Sequence, residues 1–286
     1  MSTFSKSAYS ATKYSQFRPH YPPQFYQLLS QYIGHKVNKA VDIGCGTGVS
    51  SYPLLELSDR VIGTDLSAVM VERANTIKHE KLSPSDAARI SFQVANVSDW
   101  NDNNVDLITV AQAIHWFDTA KFFHQAYQAL SPGGVLAYYY YVDPVIKGVA
   151  NADKANALYH RYVYGEDTIG PHWEQPGRSI LANMCRDVNQ GISPKEFTNV
   201  EQHIYEAEER EPTDKDMVMT REGVVVDDLF NYIRTYSGYH NFEAETGKGE
   251  DVLKQFADDL NQLGITDTTK FDLVWNTGYT FMTRTQ

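Results

Sequence analysis

The chain of 286 residues has only two cysteines, Cys45 and Cys185, which lie far apart in the sequence. Two such cysteines supply neither a disulfide framework nor a thiolate metal cluster. The histidines, among them His160, His172 and His240, lack the spacing to acids that marks a metal site, so we predict no metal. No apolar run reaches the roughly 18 residues that span a membrane, and the first residues lack the apolar segment of a secretory signal. We therefore expect a cytoplasmic protein with no membrane partner.

Positive charge is also scarce: the chain has 25 Lys and Arg and 36 Asp and Glu, which gives a formal charge of −11. Proteins that bind DNA, RNA or anionic membranes normally carry a basic surface, so this balance argues against all three partners. A hydrophobic share of 42% with 21% charged residues is typical of a globular protein. We expect one domain, residues 1–286, and a monomer.

The first half of the chain alternates short apolar segments with helical patterns. The segments that favour strands are 40–43, 60–64, 90–94, 105–111 and 134–141, followed later by 200–207 and 271–282. Helices are predicted after Pro22 and Pro23, after a capping Ser67, and from about 119 to 130. Alternation of this kind predicts an α/β fold, with a doubly wound, mostly parallel seven-stranded sheet.

The alternation is interrupted in the second half. Residues 143–196 and 222–263 are predicted to be helical cap insertions over a substrate, and the acidic segment 205–216 is predicted to be a solvated loop. Within the single domain we assign residues 1–34 to an N-terminal lid segment and residues 35–142 to a cofactor-binding core.

A glycine-rich loop follows the first predicted strand, with the pattern D-x-G-x-G-x-G from Asp42 to Gly48. Glycines at such a turn allow the backbone to approach a ligand closely and to adopt positive φ. The nicotinamide fingerprint G-x-G-x-x-G would require a third glycine at position 49, where the chain has Val49. The spacing therefore disfavours a nicotinamide dinucleotide.

This segment resembles motif I of the class I S-adenosylmethionine-dependent methyltransferases, which have a Rossmann-like sheet. The resemblance implies S-adenosyl-L-methionine as the cofactor, its amino-acid arm on the glycine loop and its ribose hydroxyls on the carboxylate of Asp65. The cofactor-binding residues implied are Tyr14, Arg18, Asp42, Gly44, Gly46, Gly48, Asp65, Leu66, Met70, Asn96, Val97, Gln112 and Ala113. Arg18 could instead pin the N-terminal segment as a lid.

A wider resemblance runs from about residue 4 to residue 284. Its motifs are Tyr14-x-x-x-Arg18-Pro19, His115-Trp116-Phe117, Tyr141-x-Asp143-Pro144, the block from Trp173 to Ser179, and Trp275-Asn276-Thr277. Together these motifs resemble the fungal trans-aconitate 3-methyltransferases. The sequence after the fourth predicted strand is not the N/D-P-P-Y/F motif of enzymes that methylate nucleic-acid bases. The resemblance therefore implies methyl transfer to a carboxylate oxygen of a small organic acid, trans-aconitate or a related polyacid.

A carboxylate is ionised at neutral pH, because its pKa is near 4, so we expect no catalytic acid or base. His115 is a possible orienting group, although a packed core histidine is an equal alternative. Arginine suits the capture of carboxylates, and Arg178 is our first choice, followed by Arg18 and Arg234. The substrate-binding residues expected are His115, Trp116, Tyr141, Trp173, Arg178, Arg234 and Trp275.

Three alternatives remain open from the sequence. The aromatic content of 13% also suits a methyltransferase for a hydrophobic small acid or toxin. A cofactor-binding regulatory module without turnover would carry the same glycine loop. A nicotinamide-dependent dehydrogenase is the fourth hypothesis, and its fingerprint is the one that Val49 interrupts.

Overall fold

The computed structural model describes residues 17–286, so the predicted cofactor residue Tyr14 lies outside the described part of the chain. The strands are β1 (Val37–Ile43), β2 (Ser58–Asp65), β3 (Ile90–Val94), β4 (Val105–Ala111), β5 (Leu130–Lys147), β6 (Phe197–Tyr205), β7 (Thr220–Val224) and β8 (Phe271–Arg284). The helices are α1 (Pro23–Ile33), α2 (Leu54–Leu57), α3 (Ala68–Lys81), α4 (Pro84–Arg89), α5 (Thr119–Ala129), α6 (Ala152–Tyr164), α7 (Gly177–Ala182), α8 (Arg186–Gln190), α9 (Val226–Ile233), α10 (Ser237–Thr246) and α11 (Gly249–Gln262). Short 3₁₀ turns lie at Ile114–Trp116 and Gly170–His172.

The eight strands form one mixed sheet in the order β3-β2-β1-β4-β5-β8-β6, and β7 pairs with the first part of β8. The pairs among β1 to β5 are parallel, whereas β8 runs antiparallel to β5, β6 and β7. The predicted α/β fold with a mostly parallel sheet is confirmed. The eighth strand, β7, overlaps a segment that the sequence assigned to a helical insertion.

The strand order reverses between β1 and β4, which are neighbours in the sheet although β2 and β3 separate them in the sequence. At such a switch point the connections leave in opposite directions, and a crevice opens at the carboxyl ends of the strands. The glycine loop follows β1, and the segment 112–117 follows β4, so the fold brings both to this crevice.

Local signals set several helix ends where the sequence predicts them. Helix α1 begins at Pro23 and ends at Gly34, which has a φ of +79°. The hydroxyl of Ser67 accepts a hydrogen bond from the backbone N–H of Met70 and so caps α3. These ends follow from the fixed φ of proline, the positive φ available to glycine and the oxygen of serine.

The second half covers one end of the sheet. Strand β5 continues to Lys147, so the first predicted insertion begins later than residue 143 and consists of α6, α7 and α8. Helices α9, α10 and α11 form most of the second insertion, in which α11 packs on α6 and α10 packs on the turn at Gly170–His172. The two insertions therefore form one layer.

The acidic segment after β6 is a loop that is exposed from residue 208 to residue 215, as the sequence predicts, but its last residue is not. Asp216 is buried, and its carboxylate accepts two hydrogen bonds from Arg210, at 2.6 and 2.7 Å, and two from Thr213. This local ion pair removes Asp216 from solvent, and a composition argument for a loop cannot detect it. Within residues 17–286, no helix is both long and apolar enough to cross a membrane.

Candidate active site

A cavity of about 300 Å³ opens at the carboxyl ends of β1, β2 and β4. Its walls come from the glycine loop, the β2–α3 turn, the segment after β3, the segment after β4 and residues 18–21. Ten predicted cofactor residues line it: Arg18, Gly44, Gly46, Asp65, Leu66, Met70, Asn96, Val97, Gln112 and Ala113. The sequence missed further wall residues with no distinctive motif, including Thr47, Ser50, Ser67, Ala95 and Phe117.

The three glycines of the loop have positive φ but different surroundings. A Cβ atom on Gly44 would lie 2.6 Å from Cβ of Ala113, so this position is closed by the segment after β4. A Cβ atom on Gly46 would meet no atom within 4 Å, and Gly46 therefore faces open space in the cavity. Gly48 instead approaches the ring of Phe92 and is absent from the cavity wall. Its lack of a side chain allows close packing against Phe92, and its contact with the cofactor stays a prediction.

Asp65 lies at the end of β2, and its carboxylate is held by the backbone. It accepts hydrogen bonds from the N–H of Gly46 at 2.9 Å and the N–H of Ser67 at 2.8 Å. Burial raises the pKa of Asp65 from its ordinary value, and the two backbone hydrogen bonds oppose that rise. A carboxylate can accept about four hydrogen bonds, so sites remain for ligand hydroxyls.

Asp42 is placed differently from the sequence prediction. It is fully buried beneath the loop, where it accepts hydrogen bonds from Ser50 at 2.8 Å, Ser51 at 2.5 Å and Thr109 at 2.8 Å. Asp42 does not line the cavity. Three hydroxyl groups surround the carboxylate and tie the loop to β4, so Asp42 orders the loop, and its direct contact with a cofactor stays a prediction.

A smaller cavity of about 50 Å³ adjoins the larger one. Arg18, Gln112 and Trp116 line both cavities and so form the wall between them. Gln112 has a φ of +54°, and its side-chain amide pairs with the backbone of Tyr141, donating to the carbonyl at 2.9 Å and accepting from the N–H at 2.9 Å. This clamp joins the segment directly after β4 to Tyr141 within β5 at the wall.

Aromatic and cationic side chains line the smaller cavity. Four of its residues were predicted from the sequence, namely His115, Trp116, Trp173 and Arg178. The sequence missed Val142, Leu181, Tyr232, Tyr236 and Ser237, which come from β5, α7 and the α9–α10 segment. Among the described residues, the lining includes two guanidinium groups and no carboxylate.

Arg178 was the first choice for a substrate carboxylate, and the structure pairs it with Asp143. Its Nη2 atom donates to both oxygens of Asp143, at 2.6 and 2.9 Å, and both side chains are buried. Tyr159 and Tyr164 also donate to this carboxylate. Although burial alone would lower the pKa of Arg178, the adjacent Asp143 raises it above its ordinary value. The charge of Arg178 is thus already balanced within the protein.

The Nε atom of Arg178 and the Nδ1 atom of His115 are buried without a hydrogen-bond partner among residues 17–286. Buried nitrogen atoms are nearly always paired in folded proteins, so each is a position at which a ligand atom is expected. Burial, followed by the positive charges of Arg178 and Arg18, lowers the pKa of His115 to about 3. The His115 ring is therefore neutral at pH 7.

Arg18 joins the N-terminal segment to the cap. Its Nη2 atom donates to the backbone carbonyl of Thr235 at 2.9 Å, and its guanidinium lies 5.4 Å from the ring centres of both Tyr232 and Tyr236. Because Thr235 connects α9 and α10, this contact fixes the second insertion against the wall that Arg18 shares between the cavities.

Two predicted substrate residues lie elsewhere. Arg234 pairs with Glu250 at 2.8 Å and lines neither cavity. Trp275 is fully buried, and its indole N–H donates to the Tyr232 hydroxyl at 3.0 Å, behind the cavity wall. Each side chain is engaged within the protein, so the structure does not bring either residue to the cavities, and their substrate contacts stay predictions. Tyr141 lines the larger cavity and not the smaller one.

The larger cavity suits an adenosyl cofactor with an amino-acid arm. Gly46 leaves open space beside the loop, Asp65 retains acceptor sites for hydroxyls, and Leu66, Met70 and Val97 supply apolar wall. Such a molecule needs backbone amides as hydrogen-bond donors, a carboxylate as an acceptor and apolar side chains for contact with its rings. Within residues 17–286, no cluster of His, Cys, Asp and Glu could hold a metal ion.

Comparisons with known proteins agree with this geometry. The family described as methyltransferase domain matches residues 41–138. The chain is 22% identical over 259 residues to "Probable S-adenosylmethionine-dependent methyltransferase CRG1" of Saccharomyces cerevisiae, covering 89% of this chain and 88% of that protein. A trans-aconitate 2-methyltransferase of Rhizobium leguminosarum is 33% identical over 134 residues, which cover 46% of this chain and 49% of the relative.

Solved structures share the fold. A structure from Anaeromyxobacter dehalogenans, described as a "Putative Type II Methyltransferase", has a TM-score of 0.68 at 22% identity. The match covers 93% of this chain and 97% of that protein's chain. Phosphoethanolamine N-methyltransferase 2 of Haemonchus contortus, in complex with S-adenosyl-L-methionine, has a TM-score of 0.52 at 18% identity, covering 100% of this chain and 61% of its own. Residues 41–138 thus match a methyltransferase domain, and the fold and the cavity agree with S-adenosylmethionine-dependent methyltransferase activity.

Proposed function

We propose that this enzyme methylates a carboxylate oxygen of a small organic acid held in the smaller cavity. The observation that carries the proposal is the pair of buried, unpartnered nitrogen atoms, His115 Nδ1 and Arg178 Nε, in a cavity that shares Arg18, Gln112 and Trp116 with the cofactor cavity. A methyl acceptor must lie directly beside the methyl donor, and the shared wall is where the two cavities meet.

For the cofactor, the proposal gives roles to residues of the larger cavity. The loop at Gly44 and Gly46 would bind the amino-acid arm, and the remaining acceptor sites of Asp65 would bind the ribose hydroxyls. Leu66 and Met70 would contact the adenine, with Asn96 and Val97 beside its amino group. When bound, S-adenosyl-L-methionine supplies a methyl group activated by the positive charge of its sulfur.

The acceptor chemistry needs no general base in this proposal. A carboxylate is already ionised at pH 7, and its oxygen lone pair is the nucleophile. Neutral His115, protonated at Nδ1, donates one hydrogen bond to the carboxylate and leaves other lone pairs available. The protein's part is placement and the exclusion of water by Trp116 and Trp173, a proximity effect worth up to about 7–11 kcal/mol.

The two insertions and the N-terminal segment supply the acceptor site. Trp173 and Arg178 come from the first insertion, Tyr232 and Tyr236 come from the second, and Arg18 comes from the predicted lid segment. This distribution supports the proposed division into a cofactor core, residues 35–142, and a substrate cap. The cap lies outside the family match and contributes most of this lining, so in this proposal it determines the acceptor.

For the identity of the acceptor, trans-aconitate or a related polyacid is the first candidate. It is supported by the motifs from Tyr14 to Asn276 and by the Rhizobium leguminosarum relative, which matches less than half of this chain. A hydrophobic small acid is the second candidate. The aromatic lining of the smaller cavity and the balanced charge of Arg178 favour it.

Purified enzyme with methyl-labelled cofactor, incubated with trans-aconitate and with a panel of small mono- and dicarboxylic acids, tests the proposal. We expect a labelled product that releases methanol on mild base treatment, because a methyl ester is base-labile. Alcohols of the same carbon skeleton, which lack the carboxylate, serve as the matched control. Label in a base-stable product only, or no labelled product from any acid, would reject carboxylate methylation.

A further inference from the structure

The buried pair of Asp143 and Arg178 sits directly behind the smaller cavity. Asp143 lies within β5, where the pairing with β8 shifts register between Tyr141 and Pro144, and Arg178 lies in the first turn of α7. Arg178 is further held between rings, with its guanidinium 4.2 Å from the centre of Trp173 and 5.0 Å from the centre of Tyr164. The guanidinium is therefore fixed in one place with its charge compensated.

The two ends of the acceptor face different parts of the wall. Arg18, Gln112 and Trp116 line both cavities, so the reacting carboxylate belongs beside them. Arg178 lines only the smaller cavity and comes from α7, whereas His115 directly precedes the shared wall residue Trp116, so we assign Arg178 to the part of the acceptor farther from the cofactor. Arg178 offers the acceptor its Nε–H, which has no partner among the described residues, whereas Nη2 is bound to Asp143.

A second carboxylate at that far end would lose its hydration, and no unpaired positive charge of the protein would replace it. Burying a charge is strongly unfavourable unless it is paired, and Arg178 is already paired. A neutral oxygen, such as an ester carbonyl or a hydroxyl, needs only one donor and fits the Nε–H. The far end of the cavity is thus matched to an uncharged hydrogen-bond acceptor.

We propose that Asp143 is a specificity-determining residue: by neutralising Arg178, it restricts the acceptor to molecules with one carboxylate and a neutral oxygen at the opposite end. This inference rests on the proposed carboxylate methylation and refines it to a substrate class. Of the two acceptor candidates it favours the hydrophobic small acid, because trans-aconitate or another polyacid would place a second carboxylate beside the compensated Arg178.

Fumarate and monomethyl fumarate provide a matched test, because they share one skeleton and differ only in whether the far end is a carboxylate or a methyl ester. The measured quantity is the ratio of kcat/KM for fumarate to kcat/KM for monomethyl fumarate. In the wild-type enzyme we expect this ratio to be below one. In Asp143→Asn, where Arg178 keeps an unbalanced positive charge, we expect it to rise at least about tenfold.

Two further variants separate charge from structure. Asp143→Asn combined with Arg178→Gln makes the pair neutral again, and we expect the ratio to return toward the wild-type value. Tyr159→Phe removes the hydroxyl that donates to Asp143 at 2.8 Å and leaves the charges unchanged, so we expect the ratio to stay as in the wild type. Binding of S-adenosylhomocysteine, measured by calorimetry, reports whether each variant retains the folded cofactor cavity.

The outcomes distinguish this inference from the proposed function. If the wild type forms a base-labile ester but prefers fumarate, the role of Asp143 is overturned while carboxylate methylation stands. An equal shift of the ratio in Tyr159→Phe and Asp143→Asn also overturns it, since a structural role alone would then explain both. If Asp143→Asn fails to bind S-adenosylhomocysteine, the test rests on the wild-type ratio of kcat/KM: a value below one supports the inference and a value above one overturns it. If wild-type enzyme esterifies neither compound nor any acid of the wider panel, the proposed function itself fails.

Discussion

Asp65 and Asp42 end neighbouring strands, but only Asp65 reaches the wall of the larger cavity. We expect Asp65→Ala to weaken binding of S-adenosylhomocysteine by about 10- to 100-fold, because hydrogen bonds to a charged group contribute about 1.5–3 kcal/mol. Asp42→Ala is the matched control. It leaves three buried hydroxyls without their acceptor, so we expect it to lower the free energy of unfolding by about 1–3 kcal/mol.

Calorimetry for binding and urea unfolding for stability separate these two effects. Unchanged affinity in Asp65→Ala would contradict the cofactor assignment of the larger cavity. Binding and stability separate two glycines in the same way. A side chain at Gly46 would enter cavity space and affect binding, whereas one at Gly48 would meet the ring of Phe92 and affect stability.

His115 provides a prediction about pH. Its pKa is lowered to about 3, so the ring stays neutral as the pH falls from 8 to 5, whereas a histidine with an ordinary pKa near 6.5 would gain a charge in this range. We therefore expect kcat/KM for an acid acceptor to be flat between pH 5 and 8, since the acceptor is also ionised throughout. A rate that changes with a midpoint near 6.5 in the wild type, and not in His115→Ala, would contradict a neutral ring.

His115→Ala should lower kcat/KM for the acid by about 10- to 100-fold, through the loss of one hydrogen bond to a charged group. Affinity for S-adenosylhomocysteine should not change, because His115 lines only the smaller cavity. His124→Ala is a suitable control, since His124 is exposed and pairs with Glu196 away from both cavities.

At the residue scale, the cofactor side could largely be predicted from the sequence and the acceptor side could not. The glycine loop and Asp65 are marked by local spacing, and ten of the thirteen predicted residues line the larger cavity. The smaller cavity depends on distant pairings, such as Arg178 with Asp143 and Arg18 with Thr235, which lie 35 and 217 positions apart. No local pattern shows that Arg178 is already paired, or that Tyr232 and Tyr236 face a ligand.

At the scale of elements, helix α7 reaches the active site through a close backbone approach. A Cβ atom on Gly177 would lie 2.5 Å from the ring of Trp116, which belongs to the wall between the two cavities. The ring is 39% exposed, so it has room to move when it is pushed. The position of Trp116 therefore depends on the absence of a side chain at the start of α7.

Gly177→Ala is expected to displace Trp116 and to lower kcat/KM for the acceptor about tenfold, since small misplacements at the reacting atoms have large effects on rate. Stability should change by less than about 1 kcal/mol, because alanine favours a helix more than glycine does and offsets part of the strain. Ala182→Ser, at an exposed position of the same helix, is the control. Steady-state kinetics measures kcat/KM, and thermal unfolding measures stability. An unchanged kcat/KM would show that the reaction does not depend on the present position of Trp116.

Elements with strong local signals were predictable, and elements defined by their neighbours were not. Helix α1 and the parallel strands follow from proline, glycine and apolar segments. Strand β7 is short and mostly exposed, and it exists because it pairs with β8. The extension of β5 to Lys147 likewise depends on pairing with β8, so the sequence placed the cap boundary too early.

At the scale of the whole molecule, a formal charge of −11 surrounds a cavity proposed to bind an anion. The repulsion acts over a distance set by salt, because the Debye length is about 30 Å at 0.01 M and about 10 Å at 0.1 M ionic strength. Contacts inside the cavity are screened much less, since they are buried. Salt should therefore weaken the unfavourable long-range field more than the favourable contacts that hold the acceptor.

We accordingly expect kcat/KM for an anionic acceptor to rise with ionic strength between 0.01 and 0.15 M, by roughly threefold for each negative charge on the acceptor. Monomethyl fumarate carries one charge and fumarate carries two, so the rise should be steeper for fumarate. Affinity for S-adenosylhomocysteine, which has no net charge at neutral pH, is the internal control and should change little. A fall in kcat/KM with salt for both acids would mean that exposed cations near the cavity mouth dominate the approach of the acceptor, in spite of the net charge of the chain.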